Sequence, residues 1–136
     1  MDDCVFCQMV AGHISVTRIY EDEVVLVFLD IGPLSDGHTL VIPKLHFEKL
    51  HDCPAEFLGK VGSRLGKLAK AVVAGMNSDG YNLLCNNGSA AGQLVEHLHF
   101  HIIPRNVGDG LFDRWPSYEY QEGRIEAIAA KIRENL

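Results

Sequence analysis

The most regular hydrophobic pattern in the chain is an alternation between Glu96 and Pro104, where every second residue from His97 to His101 is a histidine. Successive side chains of a strand point to opposite faces, whereas successive residues of a helix turn by about 100°. Only a strand separates the polar residues completely from the apolar ones: His97, His99 and His101 on one face, and Leu98, Phe100 and Ile102 on the other. The pattern therefore predicts a half-buried strand over residues 96–104.

A second pattern has helical spacing and runs from Pro54 to Met76. Apolar residues recur there at intervals of three or four: Phe57, Val61, Leu65, Leu68 and Val72. Pro54 suits the first turn, so we expect a helix. Basic residues form a stripe on another face: Lys60, Arg64, Lys67 and Lys70. The stripe is either an anion-binding surface or a solvated helix face, and the second is the more common reason for such a pattern.

Shorter segments complete the predicted elements. We expect a helical turn at Val5–Ala11, strands at Val16–Tyr20, Val24–Asp30, His38–Ile42 and Gly80–Asn86, and a C-terminal helix after Gly123 marked by Ile125, Ile128, Ala129 and Ile132. About five strands and two main helices that do not alternate predict an α+β fold with a mostly antiparallel sheet. No repeat or linker is evident, so we expect one domain over residues 1–136.

Composition and charge narrow the function classes. The 136 residues are 47% hydrophobic and 22% charged, which is typical of a globular protein. Twelve Lys and Arg against 18 Asp and Glu give a net charge of −6, which disfavours a nucleic-acid partner but allows a small phosphorylated ligand. The longest apolar run, Val24 to Leu29, is far shorter than the roughly 20 residues that span a bilayer, so we expect no membrane partner. The acidic start Met1-Asp2-Asp3 indicates no export signal and a cytoplasmic protein.

Three other features carry candidate chemistry. Imidazole serves as nucleophile, acid, base or metal ligand, and three alternating histidines, with His38 and His46 elsewhere, favour function over packing. The pair Cys4 and Cys7 could supply two of four zinc ligands, could be incidental, or could be redox-active. No strand precedes Cys4, which disfavours the redox hypothesis. Small residues in the loop 86–93 suit either a phosphate or an ordinary hairpin connection.

Together these segments resemble the histidine-triad nucleotide-binding proteins, over about residues 4–105. The motifs that match are Cys4-Val5-Phe6-Cys7, Tyr20-Glu21-Asp22, Phe28-Leu29-Asp30-Ile31, Gly37-His38-Thr39-Leu40-Val41-Ile42-Pro43-Lys44, His46, Asn86, Gly92-Gln93 and the triad through Ile102-Ile103-Pro104-Arg105. The resemblance implies a homodimer of antiparallel sheets with helices. It also implies a hydrolase or transferase that attacks the α-phosphate of a purine nucleoside phosphoramidate or dinucleoside polyphosphate.

The resemblance assigns a role to each matching residue. His99 would be the nucleophile that forms a nucleotidyl–histidine intermediate, His101 would contact the phosphate, and His38 would support the triad. These three are the implied catalytic residues. Asn86, Gly92 and Gln93 would hold the phosphate, and Asp30 the ribose hydroxyls of an AMP-like or GMP-like nucleotide. The implied base slot is apolar: Val5, Phe6, Met9, Phe28 and Ile31.

In the zinc-containing branch of the family, the resemblance places one structural Zn²⁺ per subunit on Cys4, Cys7, His46 and His97. One residue departs from the family pattern, because Leu94 stands where many relatives carry Ser or Thr. Leu94 favours an alternative, a non-catalytic nucleotide-binding sensor or partner module. A third hypothesis gives the three histidines a catalytic metal. The resemblance fades after residue 105, where Trp115 either reaches the pocket or packs.

Overall fold

The computed structural model describes residues 3–112 and 116–136. Its helices and strands are α1 (Val5–Val10), β1 (Arg18–Glu21), β2 (Val25–Leu29), β3 (Thr39–Pro43), α2 (Ala55–Met76), β4 (Gly80–Leu84), β5 (Phe100–Arg105) and α3 (Arg124–Arg133). Short 3₁₀ turns lie at Leu50–Asp52 and Ser89–Ala91. The strands form one antiparallel sheet in the order β1-β2-β3-β5-β4, which confirms the predicted α+β fold.

Apolar side chains cover both faces of the sheet, and this explains why β2 lies in an unbroken apolar run. Val25 and Val27 belong to a cluster formed with α2, whereas Leu26 and Phe28 belong to a second cluster formed with Phe6 of α1. Alternate residues of the same strand therefore face different helices. The long helix α2 and the six-residue helix α1 lie on opposite sides of the sheet as a result.

The strand predicted for residues 96–104 is shorter than expected, because β5 begins at Phe100. Ahead of it, the amide of Leu98 donates to the carbonyl of Phe47 at 2.6 Å, outside the sheet ladder. The alternation persists through this irregular stretch. Leu98 packs with the α2 cluster, while the rings of His97 and His99 both contact Phe6 on the other face. The predicted separation of histidines from apolar residues is confirmed.

Asp22 fastens α2 to the start of β2. Its carboxylate accepts hydrogen bonds from the amides of Val24 and Val25 at 2.8 and 2.9 Å, and from Nε of Arg64 at 2.5 Å. Lys67 lies over the ring of Tyr20, with Nζ 4.4 Å from the ring centroid. Two members of the basic stripe on α2 are therefore engaged within the protein, which favours a structural role for the stripe over an anion-binding surface.

The C-terminal region carries little of the core. Helix α3 begins after Gly123 as predicted, but Ile125 and Ile132 on its apolar face are exposed among the described residues. Trp115 lies outside the described residues. Within the described part of the chain, no helix combines the length and the apolar character that a membrane-spanning segment requires.

Candidate active site

The middle histidine of the triad is held in one tautomer. Nδ1 of His99 lies 2.7 Å from the main-chain carbonyl of His97, and because a carbonyl only accepts, Nδ1 carries the proton. Nε2 is then left with a free lone pair. The residue is only 5% exposed, and burial lowers the pKa of His99, partly offset by the hydrogen bond to His97. The ring is therefore neutral near pH 7.

A chain of hydrogen bonds through His38 fixes His101 in the opposite tautomer to that of His99, with the proton on Nε2. The amide of Leu34 donates to Nδ1 of His38 at 3.0 Å, so the proton of His38 must sit on Nε2. Nε2 of His38 lies 2.9 Å from Nδ1 of His101 and donates to it. His101 thus carries its own proton on Nε2, which is buried and has no hydrogen-bond partner among residues 3–112 and 116–136. Burial and the neighbouring histidines lower the pKa of His101 to about 4.

The Nε2 atoms of His99 and His101 have opposite hydrogen-bonding characters, one an acceptor and the other a donor. Nε2 of His99 offers a lone pair, and Nε2 of His101 offers a proton, with the two ring centroids 4.9 Å apart. Such a pair can attack an electrophile and donate a hydrogen bond to it at the same time. Both histidines line the same cavity.

That cavity has a volume of about 580 Å³ and a mostly apolar wall, to which α1 and β2 both contribute side chains. Every residue that the sequence assigned to nucleotide contacts lies on it except two: it contains Val5, Phe6, Met9, Phe28, Asp30, Ile31, Gly92, His99 and His101. One carboxylate oxygen of Asp30 accepts from the amide of Gly32 at 2.8 Å, and the other lies 3.7 Å from Nε2 of His38. Asp30 is thus the acidic residue on this wall.

Asn86 and Gln93 are the two residues that the structure does not bring to the cavity. The side-chain oxygen of Gln93 accepts from the amide of Gly88 at 2.8 Å, and its nitrogen donates to the carbonyl of Glu48 at 2.7 Å. Asn86 donates to the carbonyl of Gly92 at 3.5 Å. The side-chain amides of Asn86 and Gln93 therefore bond main-chain groups of the protein itself. Of Asn86, Gly92 and Gln93, Gly92 is the residue that lines the cavity.

Sequence reasoning missed the segment 14–17. Ile14, Ser15, Val16 and Thr17 line the cavity between α1 and β1. This segment lies a few residues after α1, whose residues the sequence assigns to the base slot. That closeness in the sequence is the signal that could identify it.

Four side chains converge a short distance from the cavity. Nδ1 of His97 lies 3.4 Å from Sγ of Cys4, and Nδ1 of His46 lies 3.3 Å from Sγ of Cys7 and 3.1 Å from Nδ1 of His97. In tetrahedral zinc sites, with Zn–S of about 2.3 Å and Zn–N of about 2.0–2.1 Å, the sulfur–nitrogen edges are roughly 3.5 Å and nitrogen–nitrogen edges roughly 3.3 Å. These four residues, all of which the sequence assigned to zinc, therefore fit the metal in both donor type and spacing.

The protonation of this cluster also suits a cation. Nε2 of His97 lies 2.8 Å from the carbonyl of Pro43 and donates to it, so Nδ1 faces the cysteines with a free lone pair. Burial lowers the pKa of His97 to about 4, which keeps the ring neutral. Burial and the neighbouring Cys4 raise the pKa of Cys7 to about 11, and a bound divalent cation would reverse that penalty.

The three histidines do not converge on one point. His97 faces the cysteines, His101 faces His38, and His99 bonds the main chain of His97. This arrangement contradicts the hypothesis that the triad holds a single catalytic metal.

The fold is that of one protein family. The HIT domain family matches residues 11–108, and the chain belongs to that family, as the resemblance in its sequence indicated.

Several curated relatives are enzymes by name, and two of them illustrate the similarity. An adenylylsulfatase from Arabidopsis thaliana is 44% identical over 111 residues, which are 82% of this chain and 56% of that protein. The chain therefore spans little more than half the length of the plant protein. An adenosine 5′-monophosphoramidase from Schizosaccharomyces pombe is 40% identical over 134 residues, which are 98% of each chain.

Solved structures agree with the fold over nearly the whole chain. The protein SMU.412c from Streptococcus mutans superposes with a TM-score of 0.94 at 38% identity, covering 99% of this chain and 86% of that one. A Zn-bound histidine triad family protein from Mycobacterium smegmatis superposes with a TM-score of 0.76 at 39% identity, covering 99% of each chain.

Proposed function

We propose that this protein is a nucleotide hydrolase or nucleotidyl transferase that attacks the α-phosphate of a purine nucleoside phosphoramidate or a dinucleoside polyphosphate. The observation that carries the proposal is the hydrogen bond from Nδ1 of His99 to the carbonyl of His97. It leaves the lone pair of Nε2 free beside an apolar cavity that suits a nucleoside. The relatives named adenosine 5′-monophosphoramidase and adenylylsulfatase support a reaction at a nucleotide phosphorus.

The reaction proceeds in two displacements. In the first, the lone pair of His99 Nε2 forms a bond to the α-phosphorus, and the bond from phosphorus to the leaving amine or phosphate breaks. The proton on Nε2 of His101 stabilises a phosphoryl oxygen or the departing group. In the second, water forms the new P–O bond, and the P–N bond to His99 breaks with its electron pair returning to Nε2. The proton that the water loses goes to solvent, and solvent likewise supplies the proton that a departing amine takes up in the first displacement.

His38 and Asp30 support these steps without contacting the reacting phosphorus: His38 orients His101, and Asp30 binds the ribose. His38 holds the proton of His101 on Nε2, because the Nδ1 atom of His38 accepts from the amide of Leu34 and its Nε2 donates to Nδ1 of His101. The free carboxylate oxygen of Asp30 would accept hydrogen bonds from the ribose hydroxyls, and the apolar wall of the cavity would pack against the base.

Zinc on Cys4, Cys7, His46 and His97 would be structural in this scheme. Two thiolates and two imidazoles complete a tetrahedral set, so the ion would offer no open position to substrate. It would tie the start of α1 to the segment that precedes β5.

The test is turnover of a fluorogenic adenosine phosphoramidate and of a diadenosine polyphosphate by wild type and His99→Ala. We expect His99→Ala to lose about 10³-fold or more in kcat/KM while it still binds adenosine monophosphate. The matched control is His13→Ala, since His13 is exposed and bonds the side chain of Gln8 outside the cavity. Wild-type rates in His99→Ala would refute the assignment.

Leu94 favours the second candidate, a nucleotide-binding sensor or partner module without useful catalysis. Its side chain is 92% exposed on the cavity rim and offers no hydrogen-bond donor to a leaving group. Tight binding of adenosine or guanosine monophosphate, with no turnover of either substrate class, would select this function.

We also propose that the protein works as a homodimer. β4 is an edge strand, and its residues Tyr81 and Leu83 are exposed on one face. An apolar edge strand of this kind is a surface that a second copy can cover. Sedimentation equilibrium of wild type and Leu83→Asp tests it: we expect a dimer for wild type and a weakened dimer for the variant, and a monomeric wild type would contradict the proposal.

A further inference from the structure

Phe6 lies between the two clusters of histidines and touches both. Its side chain is 5% exposed, and its ring packs edge-on against His97 with centroids 5.7 Å apart and against His99 at 5.2 Å. His97 belongs to the candidate metal cluster and His99 to the candidate catalytic pair. One aromatic ring therefore contacts a metal-cluster residue and the proposed nucleophile at once.

Phe6 also lies between the two cysteines of the metal cluster in the sequence. Cys4 is the residue that caps α1, Cys7 lies in its first turn, and Phe6 is between them. A helix of six residues is not stable by itself, so its placement depends on what holds it. The contacts of Cys4 with His97 and of Cys7 with His46 hold one side, and burial of Phe6 beside Phe28 holds the other.

Helix α1 also forms part of the cavity wall, through Val5, Phe6 and Met9. A cation bound to the cluster and a nucleotide bound in the cavity would therefore both stabilise the same placement of this helix. When two ligands stabilise one arrangement, each raises the affinity of the other by the same factor.

We propose that Phe6 is a positioning residue that couples metal binding to nucleotide binding. Metal bound by the four-residue cluster fixes α1, and Phe6 then holds the ring of His99 and completes the cavity wall. The coupling rests on the proposed function only in taking a nucleoside monophosphate as the ligand of the cavity, and it requires no turnover.

The experiment measures both affinities in both states. Zn²⁺ affinity is measured by competition with a chromophoric chelator, with and without saturating adenosine monophosphate. Nucleotide affinity is measured by calorimetry on zinc-loaded and zinc-free protein. We expect nucleotide to raise the Zn²⁺ affinity of wild type about fivefold or more, and zinc to raise the nucleotide affinity by the same factor.

Two variants separate coupling from simple stabilisation. Phe6→Leu keeps an apolar side chain but removes the ring edge that meets both histidines, and we expect its coupling to fall below about twofold. Val10→Ala is the matched control, because Val10 also lies on α1 and packs against the hydrophobic cluster that contains Phe6 and Phe28, but it does not line the cavity. It should keep the wild-type coupling.

Equal Zn²⁺ affinity of wild type with and without nucleotide would overturn the inference, as would full coupling in Phe6→Leu. Nucleotide that binds zinc-loaded protein without coupling overturns this inference alone. Absence of any nucleotide binding to zinc-loaded protein would overturn the proposed function as well, so the two failures are distinguishable.

Discussion

The main-chain carbonyl of His97 accepts a hydrogen bond from Nδ1 of His99 at 2.7 Å, while the ring of His97 points at Sγ of Cys4 at 3.4 Å. One residue thus faces the candidate metal cluster with its side chain and sets the tautomer of the proposed nucleophile with its backbone. Because the two histidines are two residues apart in an extended segment, their rings lie on the same face. The two sites are neighbours for that reason.

We expect protein purified without chelator to contain one zinc ion per chain. Stripping the ion should lower the thermal unfolding temperature, because metal binding to a closed structural site stabilises the folded state. Elemental analysis and calorimetric unfolding of loaded and stripped protein check this. Cys53→Ser is a matched control, since Cys53 lies in the α2 cluster away from the metal ligands and should retain the zinc. A full yield of folded, zinc-free protein would contradict the assignment.

The buried histidines should make the protein less stable in mild acid. The pKa of His101 falls from 6.5 to about 4 on folding because burial disfavours its charged form. Between those values the unfolded chain binds a proton that the folded chain does not, so stability present above pH 6.5 is lost as the pH falls. Urea unfolding across this range should show the free energy of unfolding decreasing, less steeply in His101→Gln. A free energy that is constant over the range would contradict the account.

Asp22 should matter far more for stability than its neighbour Glu23. Asp22→Ala leaves the main-chain amides of Val24 and Val25 without their acceptor and removes the carboxylate that accepts from Nε of Arg64. We therefore expect a loss of about 2–3 kcal/mol. Glu23→Ala removes only an exposed ion pair with Arg64 and should cost less than about 0.5 kcal/mol. Urea denaturation measures both, and equal losses would contradict the role of Asp22.

The sequence predicted α2 well because its apolar residues recur at helical spacing, and it predicted the strands because they are short apolar segments bounded by turn residues. It placed the start of β5 too early, since the alternation of His97 and His99 is the same whether or not the segment pairs in a ladder. Pairing depends on partners distant in the chain, and here the amide of Leu98 finds Phe47 instead. No local pattern carries that information.

The sequence also predicts part, but not all, of the arrangement of the candidate site. The structure brings the paired cysteines, His46 and His97 together, as the sequence predicts, and places His99 and His101 side by side. The sequence predicts a phosphate contact for Gln93, whereas in the structure its side-chain amide links Gly88 of the loop to the main-chain carbonyl of Glu48. The segment 14–17 was missed because its side chains reach the cavity only after α1 packs on the sheet. Such details arise from tertiary packing.

Leu94 should limit the rate with substrates whose leaving group needs a donor. Leu94→Ser places a hydroxyl on the cavity rim, and one added hydrogen bond in the transition state should raise kcat/KM for a phosphoramidate about tenfold or more. Leu94→Ala is the matched control, because it shortens the side chain without adding a donor. Steady-state kinetics compare the three proteins, and equal rates in the Ser and Ala variants would show that the hydroxyl has no role.

The central claim is that His99 forms a covalent bond to phosphorus, and the stereochemical course of hydrolysis tests it most directly. Each in-line displacement inverts the configuration at phosphorus, so two successive displacements restore it. An adenosine phosphoramidate with sulfur at one phosphoryl position and known configuration is hydrolysed in ¹⁸O-labelled water, and the product is analysed by phosphorus NMR. The account predicts net retention, whereas net inversion would show that water attacks the phosphorus directly and would contradict it.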